Sequence, residues 1–200
     1  MRALFALISF LSLSSWAHEL RPGDVILQPM RCQLCRMIEQ HEGSIYSHMG
    51  LVVEVAQETW IIEALGDVHL VRLTEFLAKG DNTRPHLILR PREAGPFPLK
   101  EVVLPLIGAE YDHDFLWDNL GRDGREAYYC SEIVAKLLNP FLLNDLPTKK
   151  MDYSLNRAYW ERHFRGKIPE GLPGNSPGDF EKFNQFIRLG TYQGGIWSWN

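Results

Sequence analysis

Residues 128–138 read Tyr128-Tyr129-Cys130-Ser131-Glu132-Ile133-Val134-Ala135-Lys136-Leu137-Leu138. Apolar residues recur in this stretch with helical spacing, and Cys130 falls on the same stripe as Ile133 and Leu137. Asn139-Pro140 follows, and the residue before a proline disfavours helical geometry. The pattern therefore predicts a short amphipathic helix that begins at Cys130, ends before Pro140 and turns its sulfur inward.

A thiol at the start of a helix lies beside unpaired backbone N–H groups and the positive end of the helix dipole, and both favour the nucleophilic thiolate. Glu132 is expected on the other side of the turn, where it suits the dipole without crowding the sulfur. The alternative is that Cys130 is a small buried apolar residue. A histidine within reach of the sulfur is needed to decide for catalysis.

The N-terminal residues have the pattern of a secretory signal. Arg2 precedes an apolar run from Ala3 to Leu13, and small residues stand at Ser15 and Ala17. The run is too short to span a bilayer, and an uncleaved anchoring segment is the alternative. We expect a signal peptide over residues 1–17 with cleavage near Ala17, and export to the periplasm or the cell exterior.

The remaining chain is expected to form one α+β domain over residues 18–200, with a C-terminal extension from about residue 141. Of 200 residues, 45% are hydrophobic and 12% aromatic, which is enough for one well-packed core. Without residues 1–17 the chain has 20 basic and 25 acidic residues, a formal charge of −5, because only Arg2 is lost from the charged set. This charge excludes nucleic acid as an expected partner.

Three cysteines in an exported chain leave one unpaired if two form a bridge. Cys32 and Cys35 are the candidate disulfide, and Cys130 is then the free thiol. Two reduced thiols remain an alternative. A redox role would need a thioredoxin-like strand and helix around the pair, and zinc would need a second Cys/His pair at ligand spacing; neither is visible in the sequence.

Alternating apolar residues predict an antiparallel sheet whose strands follow one another in sequence order. The predicted strands are residues 25–27, 48–55, 59–64, 68–73 and 86–90. A helix at residues 30–41 follows the first strand, a short helix at residues 74–77 follows the strand at residues 68–73, and a helix entered through Pro96 and Pro98 is expected to end or kink at Pro105.

The second and third of these runs predict a hairpin that relates His48 to Glu63. A loop centred on Val55-Ala56 places the two residues opposite each other on one face, whereas a loop centred one residue later is expected to break the pairing. Glu63 stands in an otherwise apolar run, so its desolvated carboxylate needs a partner. Imidazole, carboxylate and thiol together form the set used in nucleophilic catalysis, and the chain offers them in the order His48, Glu63, Cys130.

These residues resemble the circularly permuted papain-like amidases of the NlpC type, especially the YiiX and YaeF branch. The resemblance covers about residues 21–140 and rests on the order and spacing of five short segments: Arg21-Pro22-Gly23-Asp24-Val25, Ser47-His48-Met49-Gly50, Ile62-Glu63-Ala64, Tyr111-Asp112 with Phe115, and Tyr129-Cys130-Ser131-Glu132. In papain the cysteine helix precedes the sheet. Here Cys130 follows the predicted strands, as the permuted branch implies.

The resemblance implies a permuted papain-like fold in which an antiparallel sheet packs against the helix that carries the nucleophilic cysteine. It implies that Cys130 is the nucleophile, His48 the general base and then acid, and Glu63 the group that orients the imidazole. It also makes Tyr111 a candidate donor at the oxyanion site, with a packed loop tyrosine as the alternative. Lecithin retinol acyltransferase relatives are similar only in outline. The Cys32-x-x-Cys35 pair and the chain after Pro140 have no counterpart in the resemblance.

The sequence thus predicts an exported thiol hydrolase or acyltransferase that needs no metal or organic cofactor. The resemblance implies cell-wall peptide amides, or N-acyl and lipid-like molecules that would bring peripheral contact with a membrane. One alternative is a non-catalytic module of the same fold that binds a peptide or lipid. A second is a thiol-disulfide protein that works through Cys32 and Cys35.

Overall fold

The computed structural model describes residues 19–93 and 99–200. The signal peptide predicted over residues 1–17, and the helix entry predicted at Pro96 and Pro98, lie outside these ranges. Within them, no helix is both long and apolar enough to cross a membrane.

Most strands belong to one antiparallel sheet of seven. Its order is β4-β3-β2-β1-β5-β8-β9, and a separate two-stranded ribbon pairs β6 with β7. The strands are β1 (Val25–Gln28), β2 (His48–Val55), β3 (Glu58–Leu65), β4 (Asp67–Arg72), β5 (His86–Pro91), β6 (Lys149–Lys150), β7 (Pro173–Gly174), β8 (Phe186–Gln193) and β9 (Ile196–Trp199).

The prediction that the strands follow in sequence order is wrong. Strand β1 lies between β2 and β5: Val25 pairs with Leu51 on one side and with Leu89 on the other. All four residues of β1 are buried, so the strand needs neighbours along both of its edges. The β2-β3-β4 meander covers one edge of β1, and β5 returns to cover the other.

The β2-β3 hairpin forms as predicted, but its loop is centred one residue later than the loop that places His48 opposite Glu63. Ala56 and Gln57 both have positive φ, 52° and 65°, and the ladder runs from Val55 opposite Glu58 to Leu51 opposite Ile62. When the centre of the loop moves by one residue, each residue of β2 faces a residue two positions further along β3, because both strands shift relative to the loop. A shift of two preserves the faces, so His48 and Glu63 remain on one face as diagonal neighbours. The expectation that this loop would separate them is therefore wrong.

The helices are short and connect or cover the strands. They are α1 (Gln33–Glu42), α2 (Leu73–Lys79), α3 (Leu99–Val103), α4 (Cys130–Leu138), α5 (Arg157–His163) and α6 (Pro177–Phe180), and 3-10 turns span Leu104–Leu106 and Asn139–Phe141. The predicted boundaries of α4 are confirmed. The change from α3 to a 3-10 turn at Pro105 agrees with the kink expected there.

Helices α4 and α2 cover opposite faces of the sheet. The main core joins α4 to alternate strand residues such as Val25, Leu27 and Leu51, whereas a second cluster joins Phe76 of α2 to Ile26 and its neighbours. This alternation follows from the two-residue period of a strand. Helix α4 is buried almost all round: apart from Cys130 and Lys136, its seven other residues have at most 3% of their surface exposed. The architecture is α+β, as predicted.

The C-terminal residues complete the sheet. Strand β8 pairs with β5 along its whole length, and β9 folds back on β8. Gly190 allows this return, because a Cβ there would lie 2.2 Å from the carbonyl oxygen of Ser198. The chain after residue 141 therefore includes integral parts of the sheet.

Candidate active site

His48 and Glu63 form a buried pair at the start of β2. The His48 Nε2 atom lies 2.6 Å from Glu63 Oε2, and the two residues are 3% and 0% exposed. Gly50 lies two residues after His48 on the same face of β2. A Cβ at Gly50 would lie 2.3 Å from Ile61 Cγ2, so glycine permits the close approach of β2 to its neighbours.

His48 also lies close enough to Cys130 for the two side chains to interact. Burial would lower the pKa of His48, but its hydrogen bonds and charge attraction to Cys130 and Glu63 outweigh burial and raise that pKa to about 9. Because Glu63 occupies Nε2, the ring nitrogen left to face the sulfur is Nδ1. The surroundings of His48 thus favour its imidazolium form.

The second oxygen of Glu63 is held by two further side chains. Glu63 Oε1 accepts from His69 Nε2 at 3.1 Å and from the Lys79 ammonium. Burial would raise the pKa of Glu63, but the bonds from His48 and Lys79 lower it to about 2. The carboxylate therefore remains ionised and fixed in position. No sequence pattern relates His69 or Lys79 to the site, although the pairing of β3 with β4 puts His69 opposite Glu63.

Tyr111 lies beside Cys130, and both residues border one cavity. Its loop is held by Asp112, whose carboxylate accepts from the backbone N–H groups of Asp114 and Leu116 at 2.9 and 2.6 Å. The Asp112 N–H in turn donates to the Tyr128 carbonyl, just before α4. Burial and the nearby charge of Cys130 raise the pKa of the Tyr111 phenol well above its usual range. The phenol therefore keeps its proton and can donate it in a hydrogen bond.

Glu132 is fully buried, which sequence analysis did not predict. Its Oε1 accepts from the Asp118 N–H at 3.0 Å and pairs with Lys136 at 2.8 Å, while Oε2 has no hydrogen-bond partner among the described residues. Burial is the main reason that the pKa of Glu132 rises to about 7. The sequence does not indicate that Glu132 is buried, because an acid in the first turn of a helix is also expected from the helix dipole alone.

Three carboxylates come close enough to share a metal ion: Asp118, Glu126 and Glu132, here called the carboxylate cluster. The Lys136 ammonium already pairs with all three. Lys136 also lies over the Trp117 ring, 5.0 Å from its centre. The carboxylate cluster therefore binds the ammonium group of Lys136, which supplies the positive charge that a metal ion would bring.

Cys32 and Cys35 form a disulfide at the start of α1. The Cys32 sulfur accepts from the Cys35 N–H at 2.9 Å and so caps the helix. Both residues border the cavity that contains Cys130, which is the free cysteine. The bridge therefore forms part of the wall next to the thiol.

The arrangement of these elements defines a class of protein. An antiparallel sheet packs against a helix that begins with a cysteine, and the strand carrying a carboxylate-bound histidine precedes that helix in the chain. This is the architecture of the papain-like proteins with a circularly permuted chain.

The chain belongs to the family of permuted papain-like amidases described as YaeF/YiiX, C92, whose profile matches residues 19–180. It is 28% identical over 139 residues to protein YiiX of Escherichia coli strain K12, and the match covers 67% of this chain and 65% of that relative. A crystal structure of the metalloprotein yiiX from Escherichia coli O157:H7 superposes with a TM-score of 0.73 at 24% identity, covering 90% of this chain and 98% of that one. The predicted family and fold class are thus confirmed, and the family supports hydrolysis of amide bonds.

Proposed function

We propose that this protein is an exported cysteine amidase in which Cys130 is the nucleophile, His48 the general base and acid, and Glu63 the group that orients the imidazole. One observation supports this most directly: the His48 ring is bonded to Glu63 through Nε2 and interacts with Cys130, which borders the same cavity. Thiol, imidazole and carboxylate linked in this order are the arrangement required for covalent catalysis by a thiolate.

The proposed reaction begins when the Cys130 thiolate attacks the carbonyl carbon of an amide. Electrons move to the carbonyl oxygen, which the Cys130 N–H and the Tyr111 hydroxyl stabilise by donating hydrogen bonds. Collapse of this intermediate breaks the C–N bond, and the His48 imidazolium gives its proton to the departing amine. A thioester on Cys130 remains.

Release of the acyl group uses the same residues in reverse order. Neutral His48 takes a proton from water, the resulting hydroxide attacks the thioester carbon, and the thiolate departs with the proton remaining on His48. An amine in place of water would give acyl transfer. Apolar side chains border the cavity next to Cys130 and offer few hydrogen-bond partners to water. Hydrolysis nevertheless agrees with the activity of the family.

Export is the part of the proposal that rests on the N-terminal sequence. The basic, apolar and small-residue segments of residues 1–17 follow the order of a secretory signal. The Cys32–Cys35 disulfide is of the kind that persists in oxidising compartments. Cell-wall peptides and N-acyl molecules are the substrate classes that an exported amidase would meet.

The test uses purified protein lacking residues 1–17 and a panel of coumarin amides with a fluorescent leaving group. We expect release of coumarin by the parent protein, an acyl adduct on Cys130 detected by intact-protein mass spectrometry, and loss of both in Cys130→Ala. His48→Gln should slow adduct formation by about 10²-fold or more near pH 7. The matched control is the double variant Cys32→Ser and Cys35→Ser, which keeps Cys130.

Three results would contradict the proposal in different ways. An adduct that persists in Cys130→Ala places the nucleophile elsewhere. Tight binding of amides without any adduct supports a non-catalytic binding module on the same fold. Loss of activity in the Cys32→Ser and Cys35→Ser protein, with activity retained in Cys130→Ala, would support the thiol-disulfide alternative.

A further inference from the structure

The cavity next to Cys130 is small and mainly apolar. Its volume is about 240 Å³, and His48 and Tyr111 border it together with the thiol. Its apolar lining comes from α1, the Tyr111 loop and the segment around α5: Leu34, Ile38, Phe115, Met151 and Trp160. A group that enters this cavity is therefore a substrate group attached close to the carbonyl that Cys130 would attack.

Three residues of the cavity have buried polar atoms without a hydrogen-bond partner in the described part of the chain. These atoms are His41 Nδ1, Tyr153 Oη and both side-chain atoms of Asn175, Oδ1 and Nδ2. Buried polar groups in proteins are nearly always hydrogen-bonded, and an unpaired one costs about 1–3 kcal/mol. Such atoms around one cavity indicate a ligand that supplies the missing partners.

Asn175 is the strongest of the three, because its backbone is fixed while both polar atoms of its side-chain amide lack a hydrogen-bond partner among the described residues. The Asn175 N–H donates to the Tyr129 hydroxyl at 3.3 Å, and its carbonyl accepts from the Ser131 hydroxyl at 3.1 Å. Both partners flank Cys130 in the chain. The residue is 2% exposed, and its side chain offers one acceptor and two N–H donors.

The missing partner is an uncharged group. Glu42 supplies a carboxylate to the border of the cavity, outside the proposed catalytic set. This carboxylate already pairs with Lys149. Lys149 is also bonded to Asp179 at 2.8 Å. Among the described residues, no Lys or Arg borders the cavity to hold an anionic ligand, whereas the Asn175 amide can pair with both the C=O and the N–H of a peptide bond.

The size of the cavity limits the apolar part. At about 30 Å³ for each water-sized group, 240 Å³ holds roughly eight such groups. This is enough for the side chain of one apolar amino acid and part of its backbone. A long lipid chain would extend well beyond it.

The space on the other side of Tyr111 has a different character. A wider cavity of about 690 Å³ is bordered by charged and polar residues, among them Glu110, Asp114, Arg122 and His163. It shares Tyr111 with the apolar cavity but does not include Cys130. An apolar acyl group is therefore directed to the smaller cavity.

We propose that the apolar cavity binds the acyl residue of a peptide substrate: an apolar amino-acid side chain, with the amide bond on its N-terminal side hydrogen-bonded to Asn175. The inference rests on the proposed amidase function and makes it more specific. It selects peptides with an apolar residue before the scissile bond over N-acyl lipids. Asn175 is then a specificity residue that contacts substrate next to Cys130.

The test is a cycle of two substrates and two proteins. N-acetyl-leucine coumarin amide carries the proposed amide, and 4-methylpentanoyl coumarin amide keeps the same apolar chain without it. We expect the parent protein to prefer the first by about tenfold or more in kcat/KM, since the second leaves Asn175 unpaired. In Asn175→Leu, which has a side chain of similar size, this preference should fall to near one.

Further substrates test the apolar part and the lipid alternative. N-acetyl-glycine coumarin amide should react about tenfold more slowly than the leucine compound, because it leaves the cavity unfilled. Dodecanoyl coumarin amide should gain nothing over 4-methylpentanoyl coumarin amide. Asn144→Leu, at an exposed position, is the matched control and should keep the preferences of the parent protein.

Binding to Cys130→Ala separates failure of this inference from failure of the proposed function. N-acetyl-leucine methylamide and 4-methylpentanoic methylamide are compared by calorimetry, with and without Asn175→Leu. A preference for the first that Asn175→Leu removes supports the inference even if no variant cleaves an amide. Equal binding of the two compounds, or tighter binding of dodecanoic methylamide, overturns it even if Cys130 proves catalytic.

Discussion

Glu63 Oε2 lies 2.6 Å from His48 Nε2, although the two residues occupy diagonal and not opposite positions on β2 and β3. The other Glu63 oxygen is held by His69 and Lys79, so the carboxylate cannot rotate away from the imidazole. The histidine ring is thus held from one side and presented to Cys130 on the other.

Glu63→Gln should reduce kcat/KM by about 10²-fold near pH 7, because it removes the negative charge that favours imidazolium. The pKa of His48 should fall from about 9 toward its usual value or below. The measurement is the pH profile of kcat/KM together with an NMR titration of His48. Glu58→Gln, at an exposed position of the same strand, is the control, and an unchanged titration in Glu63→Gln would contradict the orienting role.

The free energy of unfolding should decrease as the pH rises from about 6.5 to about 9. His48 has a pKa raised to about 9, so in this range the folded protein holds a proton that the unfolded chain has released. The stabilisation is complete below the pKa of His48 in the unfolded chain. It is lost as the pH rises through the pKa of His48 in the folded protein, and the loss is on the order of 1–3 kcal/mol. Urea unfolding at pH 6, 7.5 and 9 measures it. The decrease should be smaller in His48→Gln, and an equal decrease would assign it to other groups.

Glu132→Gln should stabilise the protein by roughly 1–3 kcal/mol at pH 8. Because burial raises the pKa of Glu132 to about 7, the folded state binds a proton more tightly than the unfolded state, and stability is lost as the pH rises through 7. The gain should shrink toward pH 5. Lys136 keeps Asp118 and Glu126 as partners in the variant. Denaturant unfolding is compared with that of the exposed control Glu75→Gln, and a destabilised Glu132→Gln would count against this account.

Replacing both Cys32 and Cys35 by serine should cost about 2 kcal/mol of stability, because the bridge closes a loop of only four residues. The rate of acyl adduct formation at Cys130 with small amides should change by less than about tenfold. Thermal unfolding and mass spectrometry check the two parts. A loss much greater than this in either would mean that the bridge holds the cavity wall in place.

Gly50→Ala should destabilise the fold by about 1–3 kcal/mol and slow the reaction of Cys130, because a Cβ would lie 2.3 Å from Ile61 Cγ2. The second step of the test is Gly50→Ala combined with Ile61→Ala, which removes the obstructing methyl group. The double variant should lose less stability than the sum of the two single changes. Additive losses of stability would show that the contact between position 50 and Ile61 does not limit how closely β2 approaches its neighbours.

Much of the site was predictable because its determinants are local. Helical spacing placed Cys130 at the start of α4, and the two-residue period of the strands placed His48 and Glu63 on one face. The exact register was not predictable from the loop alone, since a loop shift of one residue still preserved the faces. His69, Lys79 and the partners of Glu132 come from separate elements, and no short pattern relates them.

The sequence by itself determined the class of fold and the three groups of the proposed catalytic set, because periodicity and residue chemistry are properties of neighbouring residues. Only the tertiary structure decided that β5 pairs with β1, since strands distant in sequence are paired by burial and free edges and not by order. It also decided which polar atoms of the cavity lack partners in the described chain, because the hydrogen bonding of Asn175 depends on every element packed around it.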